Sequence, residues 1–177
     1  AGADVPAATE ATVQEFSGVH PAGNAGTHIH FLDPVDVSKT VWTIGYQDVI
    51  AVGKLFETGI LWTERVVALA GPQVPEGKLL RTRMGANTDA LVAGLVKDAD
   101  NRVISGSVFN GRTAEGTLAF LSRYTNQISV LLEGRSRDFM GWIAPGAEKH
   151  SLLNIVTGKL SANKLFNFTT TTNGSER

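Results

Sequence analysis

The chain has 177 residues, 42% hydrophobic and 19% charged, with a formal net charge of −1 and no cysteine. That balance calls for a packed core rather than a disordered polymer. The lack of any Lys/Arg cluster interleaved with aromatics argues against nucleic acid as a partner, and zero cysteines exclude thiolate metal sites, iron–sulfur ligation and disulfides within these residues.

The chain opens on small, featureless residues without an initiator Met or a signal peptide. No apolar run approaches the ~20 residues of a membrane span. A soluble piece excised from a larger protein is therefore expected. Residues 12–19 suggest a short strand, followed by a His/Gly loop over residues 20–30 and a second strand over 27–32, stopped by Asp33-Pro34. Residues 46–58 place apolar side chains at 46, 49, 50, 52, 55 and 56, which is helical spacing. Asp48 suits the first turn of that helix and Gly59 its C-terminal cap. Gly53 inside it costs about 1 kcal/mol against Ala, which suggests close packing there.

Further along, residues 65–70 are β-rich and end at Gly71-Pro72, and residues 79–84 form a second strand after a Pro-Glu-Gly turn. Asn87 or Thr88 caps a helix running to Leu95. Strands follow at 102–105 and 127–132. Hairpin, helix, strand, strand is an α+β order of β-grasp type. The expected architecture is the C-terminal part of a Rossmann-like α/β layer over 1–62, with its missing strands upstream. A self-contained β-grasp unit over 63–135 follows, and then an extension over 136–177 leading toward a further domain.

The histidines carry the most chemistry. Three of the four fall within His20-Pro-Ala-Gly-Asn-Ala-Gly-Thr-His28-Ile-His30. On a strand His28 and His30 would share a face, and a Thr-His-x-His at a strand end resembles the metal-binding start of an amidohydrolase barrel. Such a site needs further histidines, a bridging Lys or acid and a later carboxylate, whereas here only His150 remains, in a polar Lys149-His150-Ser151 setting. A barrel of that kind also takes about 250 residues. The metal-dependent hydrolase is therefore the discounted alternative, and rings tied to backbone or neighbours are the more ordinary fate of such a pair. Gly23 and Gly26, flanked by Pro21 and Asp33-Pro34, are expected to shape a fixed loop path.

Two look-alikes fall short. Gly106-Ser-Val-Phe-Asn-Gly111-Arg112-Thr113 follows a strand as a phosphate-binding P-loop does, but Arg112 stands where the motif needs a slim lysine. A glycine-rich strand-to-loop turn fits better. The Thr169–Thr172 run lacks the upstream residues of a flavin attachment site, and threonines at a strand end ordinarily express β-propensity. There is no Gly-x-Ser-x-Gly and no GxGxxG.

Several blocks taken together carry a family resemblance. They are Phe16-Ser-Gly-Val-His-Pro-Ala-Gly-Asn-Ala-Gly-Thr-His-Ile-His-Phe-Leu-Asp-Pro-Val35, Ile44-Gly-Tyr-Gln-Asp-Val-Ile-Ala-Val-Gly-Lys-Leu-Phe56, Thr63-Glu-Arg-Val-Val-Ala-Leu-Ala-Gly-Pro72, Phe139-Met-Gly-Trp-Ile-Ala-Pro-Gly146 and Phe166-Asn-Phe-Thr-Thr-Thr-Thr-Asn-Gly-Ser-Glu-Arg177. In order and without large gaps, they closely resemble the NqrA component of the bacterial sodium-translocating NADH:quinone oxidoreductase. The resemblance implies a position on the cytoplasmic face of the inner membrane, in a complex that passes electrons from NADH through flavins and an iron–sulfur cluster to ubiquinone or menaquinone and exports Na⁺. It implies a fold similar to the flavin subunit of respiratory complex I, without the FMN and cluster found there, so that this stretch carries no cofactor and is inactive by itself. Its role would be to dock other subunits, the membrane ones above all. It also opens a quinone-binding alternative, with His28 and His30 hydrogen-bonding quinone oxygens and Tyr46, Trp42 and Phe31 lining an apolar groove.

Overall fold

The computed structural model describes residues 11–136, 139–141, 143–151, 154, 156–160 and 165–171. The chain divides into two compact units, Ala1–Gly59 and Ile60–Arg177. Together they make a mixed α/β protein with a single five-stranded sheet and few helices among the described residues.

The first unit holds two helices, α1 (Ala25–Leu32) and α2 (Tyr46–Thr58). The strand expected at residues 12–19 is not formed. β-branched residues there have propensity but no ladder partner, and an extended segment without one leaves its backbone groups to water. The strand expected at 27–32 is a helix instead. Ala25, His28, Ile29 and Leu32 recur at helical intervals, and a turn through residues 19–24 launches the first turn: Ala22 N–H bonds Val19 O at 2.9 Å, and Thr27 and His28 N–H both reach Asn24 O.

Helix α2 follows its expected bounds. Asp48 lies in its first turn, and Gly59 ends it at φ 71°, its N–H bonding Leu55 O at 2.8 Å. That left-handed cap is the conformation glycine adopts without a Cβ penalty. A Cβ added at Gly53 would meet nothing within 4 Å, so the close packing expected there is not found in this unit.

The second unit is built on β1 (Glu64–Ala70), β2 (Lys78–Arg83), β3 (Asn101–Ser105), β4 (Arg112–Thr113) and β5 (Gln127–Leu132), in the order β2-β1-β5-β3-β4. β1 and β2 form an antiparallel hairpin, with Val67 opposite Leu80. β1 runs parallel to β5, pairing Leu69 with Ile128, and β5 runs antiparallel to β3, pairing Val130 with Val103. Val67 and Leu69 alternate inward with the two-residue period of a strand while Val66 faces out. With Ile128, Val130, Val74, Val92 and Leu121 they form the core cluster.

Helix α3 (Thr88–Val92) is capped by Asn87, whose side-chain oxygen accepts from Ala90 N–H at 2.9 Å. It stops three residues short of the expected Leu95, where Ala93 leaves helical angles and Gly94 turns to φ 70°. The threonine run reaches back to the sheet. Thr169 bridges Leu132, Gly134 N–H donates to Thr170 Oγ1, and the Thr170 hydroxyl donates to Glu133 at 2.7 Å. Glu133 is also gripped by Arg102 through two bonds of 2.7 Å.

Candidate functional site

Helix α1 decides what the histidine segment can do. Residues two apart on a helix diverge by about 200°, so His28 and His30 do not share a face as they would on a strand. His28 turns back on the preceding loop, where its Nε2–H donates to Ala22 O at 2.8 Å and its ring lies 4.3 Å from the Phe16 ring. His30 meets Phe31 edge-on at 5.0 Å. Tyr46 opens α2 and is 67% exposed. Phe31 and Trp42 are exposed too, and among the described residues no ring contact joins Tyr46, Trp42 and Phe31 into one groove. Among the described residues, no three His, Asp or Glu side chains assemble as metal ligands would, so the His-x-His pair has no partners there with which to form the hydrolase centre.

The glycines of this segment behave differently from expectation. Neither Gly23 nor Gly26 has a positive φ, and an added Cβ at either meets nothing within 4 Å. The path therefore does not need glycine at those positions. It is held instead by the turn at 19–24, by His28, and by Thr27, whose hydroxyl donates to Pro21 O at 3.0 Å.

The first unit exposes apolar side chains beside its charged ones. None of its described residues is buried, and α2 shows Tyr46, Val49, Ile50 and Phe56 along one stripe, with Trp42 and Ile44 just before it. Isolated exposed apolar side chains are ordinary, but a contiguous run of this kind marks a surface made to be covered.

A concavity lies in the other unit, at the turn that resembles a P-loop in sequence. No helix follows it: Gly111 leads directly into β4, which pairs back on β3 with Ser105 opposite Arg112. The turn closes tightly because Gly106, at φ 121°, sits against Gly111; a Cβ on Gly106 would lie 2.6 Å from Gly111 Cα. Ser107 and Asn110 fasten it, the Ser107 hydroxyl donating to Asn110 Oδ1 at 2.8 Å. Arg112 bends onto residues 118–122, donating to Leu118 O, Phe120 O and Ser122 Oγ, each at 3.0 Å. Ser122 N–H in turn donates to the buried Ser105 Oγ.

The result is a half-open pocket of about 430 Å³, whose wall includes Ser107, Asn110, Arg112, Tyr124, Thr125 and Gln127. The paired glycines and Arg112 were visible in the sequence. The contribution of residues 122–127 was not, because only the pairing of β5 with β3 brings them there.

The chain matches two family descriptions, "NqrA second alpha/beta domain" over residues 1–61 and "NQRA C-terminal domain" over residues 66–116. Among curated proteins it is 61% identical over 174 residues to the NqrA component of the Na(+)-translocating NADH-quinone reductase of Hahella chejuensis, covering 98% of this chain and 39% of the relative. It is 58% identical to that of a Marinomonas species, covering 99% of this chain and 40% of the relative, and 60% identical to that of Pseudomonas aeruginosa, covering 94% and 37%. The chain thus spans about two fifths of the length of the curated relatives it matches.

Proposed function

The chain belongs to the NqrA family of the Na(+)-translocating NADH-quinone reductases, and from that premise we propose that it is a structural and docking region of such a complex. The observation that carries this reading is the first unit's lack of any buried described residue beside the apolar stripe of α2. Helices with such faces are stable only when something covers them. The proposed cover is the remainder of the assembly, the membrane subunits above all, on the cytoplasmic side. No helix among the described residues is long and apolar enough to cross a membrane itself. NADH oxidation, flavin and cluster chemistry and Na⁺ passage then fall to other parts of the complex.

The sheet order supports a finer assignment of the fold. The order β2-β1-β5-β3-β4, with its one parallel pair at the centre, favours a β-grasp unit over 63–135. Two helices, with no strand among the described residues of the first unit, favour residues 1–62 as the helical part of a Rossmann-like layer. Quinone contact at His28, His30 and Tyr46 ranks below docking. His28 spends Nε2 on Ala22 O and its ring on Phe16, and His30 departs in another direction.

The test is Ile50→Asp in the full-length protein, expressed in a bacterium lacking its own copy, with the complex isolated through a tag on one of the other components. The variant should remain soluble and be lost from the complex. Wild-type recovery of the variant in an active complex would overturn the docking reading. Titration of the chain with a soluble quinone, followed at the histidine ring signals, addresses the quinone alternative, which saturable shifts at His28 or His30 would restore.

A further inference from the structure

We propose that the pocket between the β3–β4 turn and residues 122–127 is a binding site for a small phosphate-bearing anion, a site independent of the docking surface of the first unit. Charge is the first reason. Among the described residues Arg112 has no carboxylate partner; its three bonds go to two carbonyls and a hydroxyl, all neutral. These bonds position the guanidinium without neutralising it, and two of its five N–H groups remain to donate. No described Asp or Glu lines the pocket.

Donor supply is the second reason. Asn110 uses its carbonyl oxygen to hold the turn, accepting from Ser107, which leaves its NH₂ as a donor. Tyr124 is 84% exposed and offers a hydroxyl and a ring face. A wall of guanidinium, amide and hydroxyl donors without a competing carboxylate is what a tetrahedral oxyanion requires.

Shape and rigidity are the third. The volume of about 430 Å³ falls within the range of small-ligand sites, roughly 300–1,000 Å³. The tight Gly106–Gly111 approach and the Arg112 bonds hold the wall in place before any ligand arrives, which limits the ordering cost of binding. The geometry differs from that of a nucleotide-triphosphate loop, because no helix N-terminus follows the turn, and a monophosphate is the ligand class that fits.

The test uses the chain itself, ¹⁵N-labelled and titrated with inorganic phosphate, with a nucleoside monophosphate and with acetate. Saturable amide shifts confined to residues 105–112 and 122–127 are expected with phosphate, weakening as salt is raised. Tighter binding of the monophosphate than of phosphate would identify an organic phosphate as the ligand, and equal binding would identify the free anion. Because Arg112→Gln removes bonds that hold residues 118–122, and Asn110→Ala would remove the oxygen that holds Ser107, the informative variants are Asn110→Asp, which keeps that oxygen and replaces the NH₂ donor by an acceptor, and Tyr124→Phe. Asn110→Asp should weaken phosphate binding about tenfold, which is about 1.4 kcal/mol, while the bond from Ser107 that holds the turn is kept. No saturable shift, acetate binding as well as phosphate, shifts spread over all exposed basic residues, or unchanged affinity in both variants would each overturn the site.

Discussion

Leu69→Ala measures whether the sheet is built as described. Leu69 is fully buried on the inner face of β1, opposite Ile128 of the adjacent parallel strand. The substitution deletes three carbons, a transfer loss of about 2.5 kcal/mol at roughly 0.8 kcal/mol each. The central strands cannot collapse into the space, so a cavity term brings the total to about 4 kcal/mol. With a urea slope of about 1.5 kcal/mol/M, the midpoint falls by about 2.5 M. Val66, its near neighbour on the same strand, is 40% exposed. Val66→Ala removes two partly solvated carbons and costs about 1 kcal/mol or less, moving the midpoint by under about 0.7 M. The assay is urea unfolding followed by the β-sheet signal in far-ultraviolet circular dichroism. Equal shifts for the two variants, or a larger one for Val66→Ala, would refute the facing of β1 and with it the core around Ile128 and Val130.

The remaining expectations concern the sheet edge, the glycines and the histidines. Thr170→Ala should release residues 165–171 from β5, seen as faster amide exchange at Gly134, whose N–H bonds Thr170 Oγ1; unchanged exchange would contradict that docking. The Thr170 hydroxyl, with Arg102 behind it and desolvation opposing, holds the Glu133 carboxyl below the ordinary carboxylate value. A depressed carboxylate contributes stability that is fully present above its unfolded-state pKa near 4.5 and lost as pH falls through the lower folded value. Acid should therefore free the same segment, and Glu133→Gln should remove that pH dependence in the exchange rates. Gly111→Ala brings a Cβ within 2.4 Å of Ile104 Cγ2 and 2.5 Å of Ser107 O and should cost about 1–3 kcal/mol in urea melts. Gly26→Ala, with open space in a helix, should be neutral or stabilise by up to about 1 kcal/mol. In the full complex, His28→Gln should lower the stability of α1, read by amide exchange, yet leave quinone turnover nearly intact; a tenfold loss of turnover with normal assembly, about 1.4 kcal/mol of barrier, would make it a functional residue.

What the sequence alone determined was local. The 3.6-residue period and terminal glycine of α2, the Gly-Pro stop after β1 and the Asn cap of α3 each act within a few residues, so propensity and capping chemistry suffice to place them. Local pattern misleads at α1, where the alternation of His28 and His30 suggests a strand and the turn at 19–24 makes a helix of it. It misleads again at 12–19, where β-propensity has no ladder to join.

Only the tertiary structure decided the rest. β4 is two residues long and exists because β3 offers it an edge. Thr170 meets Glu133 across 37 residues, and Arg112, met in sequence as a defective phosphate lysine, becomes the brace of residues 118–122 through bonds no spacing rule anticipates. The pocket wall joins residues 105–112 to 122–127 because β5 inserts between β1 and β3. Such contacts depend on which strands become neighbours. Strand neighbours are chosen by the burial of a whole apolar face, a property of the assembled sheet rather than of any single segment.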